Sequence, residues 1–76
     1  MSVYKTTDII LAACLRLNGY ELLEIEIVGT KGTFCFADVP PSIIQDYDLG
    51  KSRVEPVSFN NMIKQLTTSV RRMIHK

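Results

Sequence analysis

From Asp8 to Leu17 the chain reads DIILAACLRL, and only Asp8, Ala12 and Arg16 share a sector that is not strongly apolar. At ~100° per residue the remaining side chains cover roughly two thirds of the circumference. An ordinary surface helix hides a stripe little more than about 100° wide. The segment therefore predicts a helix over 7–18 that needs cover on at least two sides. Thr6 or Thr7 supplies a cap, Asp8 sits in the first turn where it suits the helix dipole, and Asn18-Gly19 ends the helix.

Period-two alternation follows in Leu22-Leu23-Glu24-Ile25-Glu26-Ile27-Val28 and again in Thr33-Phe34-Cys35-Phe36-Ala37. These runs predict a β-hairpin joined through Gly29-Thr30-Lys31-Gly32. Its apolar face comprises Leu23, Ile25, Ile27, Phe34 and Phe36, and its other face Glu24, Glu26, Val28, Thr33, Cys35 and Ala37. Asp38-Val39-Pro40-Pro41-Ser42 then breaks the strand and starts a short helix over 41–48, stopped by Gly50, whose Ile43, Ile44 and Tyr47, with Leu49, close one end of the core. Residues 51–55 read as a linker or a short extended piece, with a further strand available through Arg53-Val54. Pro56 opens the last helix, capped by Glu55 or Ser58. Its Phe59, Met62, Ile63, Leu66, Val70, Met73 and Ile74 form an amphipathic stripe. The expected fold is α+β: helix, β-hairpin, short helix and long C-terminal helix in two-layer packing, with the first helix sandwiched between the hairpin and the last helix.

At 76 residues this is a single small domain, for which folding hides only about 60% of the unfolded chain's surface. Chains of this size gain stability from disulfides, metals, tight packing or self-association. The two cysteines, Cys14 and Cys35, have no CxxC spacing and read as small buried apolar groups in a reducing compartment. The start MSVYKTTD lacks the pattern of a signal peptide, and no apolar run approaches the ~20 residues of a membrane span. A cytoplasmic location is expected, with no membrane partner.

Net charge is +1, but it is unevenly placed. Residues 1–50 carry three cations against seven anions, a balance of −4, and residues 51–76 carry six cations against Glu55, a balance of +5. Such asymmetry suits an anionic partner for the basic end, or attraction between the two ends within one molecule or between copies.

Candidate chemistry is sparse. The one histidine, His75, stands next to the end of the sequence, so no Ser-His-Asp or Cys-His arrangement can avoid it. Glu24 and Glu26 share a strand face as solvated carboxylates, and Asp46 and Asp48 lack the regular oxygen ligands of a calcium loop. Gly29-Thr30-Lys31-Gly32 opens a strand rather than the helix a phosphate-binding loop requires. Tyr4 and Tyr20 flank the first helix and are expected to pack beside it with their hydroxyls outward. We expect no enzyme, and no catalytic, cofactor-binding or metal-ligating set.

Two surfaces remain. The over-wide apolar arc of the first helix, at Ile10, Leu11, Cys14 and Leu15, together with the open hairpin edges, suits self-association or another protein partner. The polar side of the last helix, with Lys64, Arg71, Arg72 and Lys76 among amides and hydroxyls, is the alternative: a phosphate-contacting face of a nucleic-acid accessory protein.

The succession YKTTDIILAACLRLNGY, a strand pair ending FCFAD, and VEPVSFNNMIKQL resembles a family of very small uncharacterised domains from phages, plasmids and bacterial genomes. Tyr4, Lys5, Thr6, Asp8, Gly19, Tyr20, Phe34, Phe36, Val54, Glu55 and Phe59 carry the resemblance across almost the whole chain, mainly at cap and core positions. It implies the same order of elements and an origin in a mobile genetic element or its host. It implies no activity, since that family brings no catalytic residues to carry over.

Overall fold

The structure, a computed structural model, describes residues 2–50 and 54–74. Six elements follow in order: β1 (Val3–Thr6), α1 (Ile9–Leu17), β2 (Leu22–Val28), β3 (Lys31–Ala37), α2 (Pro41–Asp48) and α3 (Pro56–Ile74). The fold is α+β: a three-stranded antiparallel sheet in the order β1-β3-β2 with the helices on one face. Because β1 and β2 both run antiparallel to the strand between them, β1-α1-β2 is a split βαβ unit.

The opening strand is absent from the expected order. Val3-Tyr4-Lys5-Thr6 alternates, but over only four residues and with a single inward aromatic, too little for periodicity to register. Pairing supplies the rest: Tyr4 lies opposite Phe36 and Lys5 opposite Cys35. Asp38, at a positive φ of 52° that a short polar side chain tolerates, closes this pairing by donating its N–H to Ser2 O at 2.9 Å and accepting the Ser2 N–H at 2.9 Å.

Helix α1 starts later than expected. Asp8, rather than Thr6 or Thr7, is its N-cap, accepting the Ile10 and Leu11 N–H groups on Oδ1 at 2.9 and 3.3 Å. Its Oδ2 accepts the Tyr47 hydroxyl at 3.0 Å, tying α2 to the head of α1. At the other end, Gly19 at φ 88° provides the left-handed residue after Asn18. Five consecutive residues, Leu11 to Leu15, are buried. Apart from Ile10, the wide apolar arc is thus covered within the chain, by Phe34 and Phe36 of the sheet, Leu66 of α3, and the flanking Ile43, Ile44 and Tyr47 of α2.

The hairpin is tighter than its glycines suggested. Gly29 and Thr30 alone form the loop, with Gly29 at φ 64° as the first residue of a type II′ turn demands, and Lys31 and Gly32 belong to β3. A bulge between Leu22 and Glu24 turns Leu22 inward and leaves Leu23, expected on the apolar face, 39% exposed. Leu49 also departs from expectation: it lies past the end of α2, 59% exposed, instead of closing the core. Val54 is not in a strand, and Arg53 lies outside the described residues. Tyr4 and Tyr20 both pack partly buried against the core.

Glu55 caps α3, accepting Val57 N–H at 3.1 Å and Ser58 N–H at 2.6 Å. The α3 stripe buries Leu66 fully and Phe59, Met62, Ile63 and Val70 partly, whereas Met73 is 38% exposed. Where α3 crosses the hairpin, Gly32 has no room for a side chain: an added Cβ would stand 2.8 Å from Val70 Cγ2 and 3.4 Å from Ile25 Cγ2. Val70 is β-branched and cannot swing aside cheaply. Gly32→Ala should therefore lower stability by about 1–3 kcal/mol, the usual cost of overpacking. Equilibrium urea unfolding should also show that this loss shrinks in a Val70→Ala background; equal losses in both backgrounds would mean α3 does not press on the hairpin there.

Candidate functional site

The two-layer arrangement leaves the outer face of the sheet and both of its edges without a described covering element. Cross-strand partners place Val3, Lys5, Glu24, Glu26, Val28, Lys31, Thr33, Cys35 and Ala37 on that face. At its centre Cys35 is only 1% exposed. It is hidden because Lys5, directly opposite on β1, reaches across β3 to Glu26 on β2, with Nζ 2.7 Å from Oε1. The thiol lies 3.5 Å from the same Oε1 as a weak donor.

This small network fixes its own protonation. The hydrogen bond from Lys5, followed by that from Cys35, holds the Glu26 carboxyl below its ordinary range, and the same contact raises Lys5. Burial, then the bond to Glu26, pushes the Cys35 thiol up; burial likewise raises Cys14. Both cysteines are free and buried. Glu24, Glu26 and Cys35 bring their ligand atoms within 4.8 Å of one another, the one such metal-ligating cluster among the described residues. Lys5 already occupies Glu26 Oε1, so a metal at this cluster would have to displace that ion pair. The arrangement is an ion pair roofing a neutral thiol.

Two hollows flank the helices. One, of about 380 Å³, lies between β1 and α2 and is lined by Tyr4, Val39, Pro41, Ile44, Gln45 and Asp48. The other, of about 240 Å³, lies between Leu17 and Asn18 of α1 and Val54, Glu55 and Ser58. The Glu55 carboxylate is spent on the α3 cap, whose Ser58 and Val57 N–H groups hold its pKa down. Neither hollow gathers the nucleophile, base and oxyanion donors that acid–base or acyl-transfer chemistry requires.

The backbone edges carry the strongest unmet bonding capacity. In a two-residue hairpin Val28 and Lys31 form the first hydrogen-bonded pair, so Glu26–Thr33 and Glu24–Cys35 follow as hydrogen-bonded pairs. The peptide groups of Ile25 and Ile27 then point away from β3. On β1 the Asp38-to-Ser2 bond sets the same alternation, which turns the peptide groups of Val3 and Lys5 outward.

Of the four residues expected to form a self-association arc, Leu11, Cys14 and Leu15 are buried inside the chain, so they offer no surface; Ile10 alone, 47% exposed, does. Lys64, Arg71 and Arg72 are exposed on α3, and Lys76 and His75 lie outside the described residues. The only ion pair among the described residues is Lys5–Glu26. Val3 and Lys5 escaped sequence reasoning because their strand did; the Val-Tyr-Lys-Thr alternation was the available signal.

In thiol titration of the native protein, Cys35 should react slowly, and Lys5→Ala should accelerate it several-fold without changing Cys14; an unchanged rate would mean Lys5 does not cover the thiol. Stability should also fall at both ends of the pH scale. Glu26 and Glu55 have folded pKa values below their ordinary 4.5, so the stability they contribute is present above that value and lost as pH falls through and below it. Cys35, raised above 9.0, and Tyr47, pushed up to about 12 from 10.0 by burial and then by its bond to Asp8, favour their neutral forms, so stability falls as pH rises past 9.0. Urea midpoints across pH check this, and Glu55→Gln should flatten the acid limb.

Comparison of the chain with protein-family models, curated proteins and solved structures yields no match.

Proposed function

We propose that the chain is a non-enzymatic interaction module that associates, with copies of itself or with another protein, through the edge strands of its sheet. What supports this reading is the outward row of peptide groups, Val3 and Lys5 on β1 and Ile25 and Ile27 on β2, which no described element covers. An extended partner strand satisfies such groups by adding to the sheet, and side chains on alternate positions then set specificity. The small core gives the chain a further reason to gain from association.

A second reading is motivated by Lys64, Arg71 and Arg72, which stand exposed on α3 with no acidic partner among the described residues. Spaced along one helix, they fit a row of phosphates. This reading predicts nucleic-acid binding that weakens steeply with salt and drops when Arg71 and Arg72 become alanine.

Amide hydrogen exchange tests the leading reading. In dilute protein the N–H groups of Val3, Lys5, Ile25 and Ile27 should exchange rapidly while those of Tyr4, Glu24 and Glu26 are protected, and concentrating the protein or adding its partner should slow at least one of the two fast pairs. Association that leaves all four fast would contradict it.

A further inference from the structure

We propose that the partner at these edges is a second copy of this chain, joined head to tail: the β1 and α2 side of one copy against the β2 and α3 side of the next. The proposal rests on the edge-strand reading and adds the partner and its direction.

The helix layer follows the sheet. Helix α2 lies beside β1, where Pro41, Ile44 and Asp48 share a hollow with Tyr4. Helix α3 lies beside β2, with Val70 against Gly32 and Ile25. The two flanks of the plate, which is 18 Å thin, are therefore β1 with α2 and β2 with α3.

Their charges alternate between layers. The first flank has Lys5 on the outer sheet face and Asp46 and Asp48 in the helix layer, whereas the second has Glu24 and Glu26 on the outer face and Lys64, Arg71 and Arg72 in the helix layer. Ser58 faces Leu17 and Asn18 of α1, and Val70 faces the sheet. At ~100° per residue, Lys64 and Arg71 then fall together on the side of α3 beyond Val70, away from α1 and toward the open flank. On α2, Asp48 points into the hollow beside β1.

Joining two identical flanks by a two-fold axis normal to the sheet opposes like charges in the helix layer. Acid meets acid between α2 helices, or base meets base between α3 helices. Joining unlike flanks pairs opposite charges in the helix layer, Asp48 with Arg71 and Lys64, and leaves the Lys5–Glu26 pair of each copy intact on the outer face. It also sets the outward peptide groups of Val3 and Lys5 beside those of Ile25 and Ile27. Since β1 and β2 run the same way within the sheet, the new pairing is parallel. A head-to-tail contact uses different surfaces on each copy, so it grows beyond a dimer, into a ring or an open row.

Sedimentation equilibrium of the full chain over a wide concentration range tests this. The mean mass should climb past two chains at low salt and fall toward one chain at high salt. Asp48→Lys and Arg71→Glu, both at exposed positions, should each stay monomeric alone and regain association when mixed. That rescue excludes misfolding as the cause of the loss. A wild type that remains one chain, or stops at two, overturns the proposal. Protection of the Ile25 and Ile27 amides in a species that stops at two would keep the edge reading and reject only the head-to-tail direction. Growth indifferent to salt and to both variants, with those amides unprotected, would reject both.

Discussion

Burial of α1 is the constraint from which the rest of this fold follows. A helix with five successive buried residues cannot lie on a surface, and it supplies five of the nine buried core residues among those described. Ala12 and Ala13, fully buried and small, leave room for neighbours to approach, and Leu15 fills the space between the layers. The sheet covers α1 from below through Phe34 and Phe36, α3 covers one side through Leu66 and its neighbours, and α2 closes the other, held by the Tyr47-to-Asp8 hydrogen bond.

Spending the apolar residues this way determines what remains outside. With all three helices on one face, the opposite face has mixed charges, the exposed Val3 and Val28, and a small buried centre, Cys35, roofed by the Lys5–Glu26 pair. That pair is half exposed and screened, so its effect is local: it keeps a thiol dry and neutral rather than holding the fold together. The edge strands have no such cover. The bulge twists the start of β2, and β1 is only four residues long, but no described element covers the outward peptide groups of either strand.

Much of this was legible in the sequence. The hairpin, the boundaries of α2, the Glu55 cap and the stripe of α3 each rest on a local signal: alternation, proline position, or helical spacing. The features that were not legible depend on partners distant in sequence. Strand β1 exists because Val3 to Thr6 finds β3 more than thirty residues away, and alternation over four residues does not announce that. Leu23 reads as inward until the bulge adds a residue to β2. The excess arc of α1 suggested an external partner at Leu11, Cys14 and Leu15, because neither the contribution of α2 nor the width of a three-stranded sheet could be summed from the pattern. For the candidate site, the acidic and basic halves were visible in the composition, but the outward peptide groups of β1 and β2 could be read only from the strand order.

The claim that the chain itself fills the space around α1 is tested most directly by urea unfolding of Leu15→Ala beside the wild type at micromolar and near-millimolar protein. Leu15 is fully buried within one copy, so its truncation should cost about 2–5 kcal/mol, with the same difference from wild type at both concentrations. A loss that changes between the two concentrations would contradict this, because it would place Leu15 at a contact between copies.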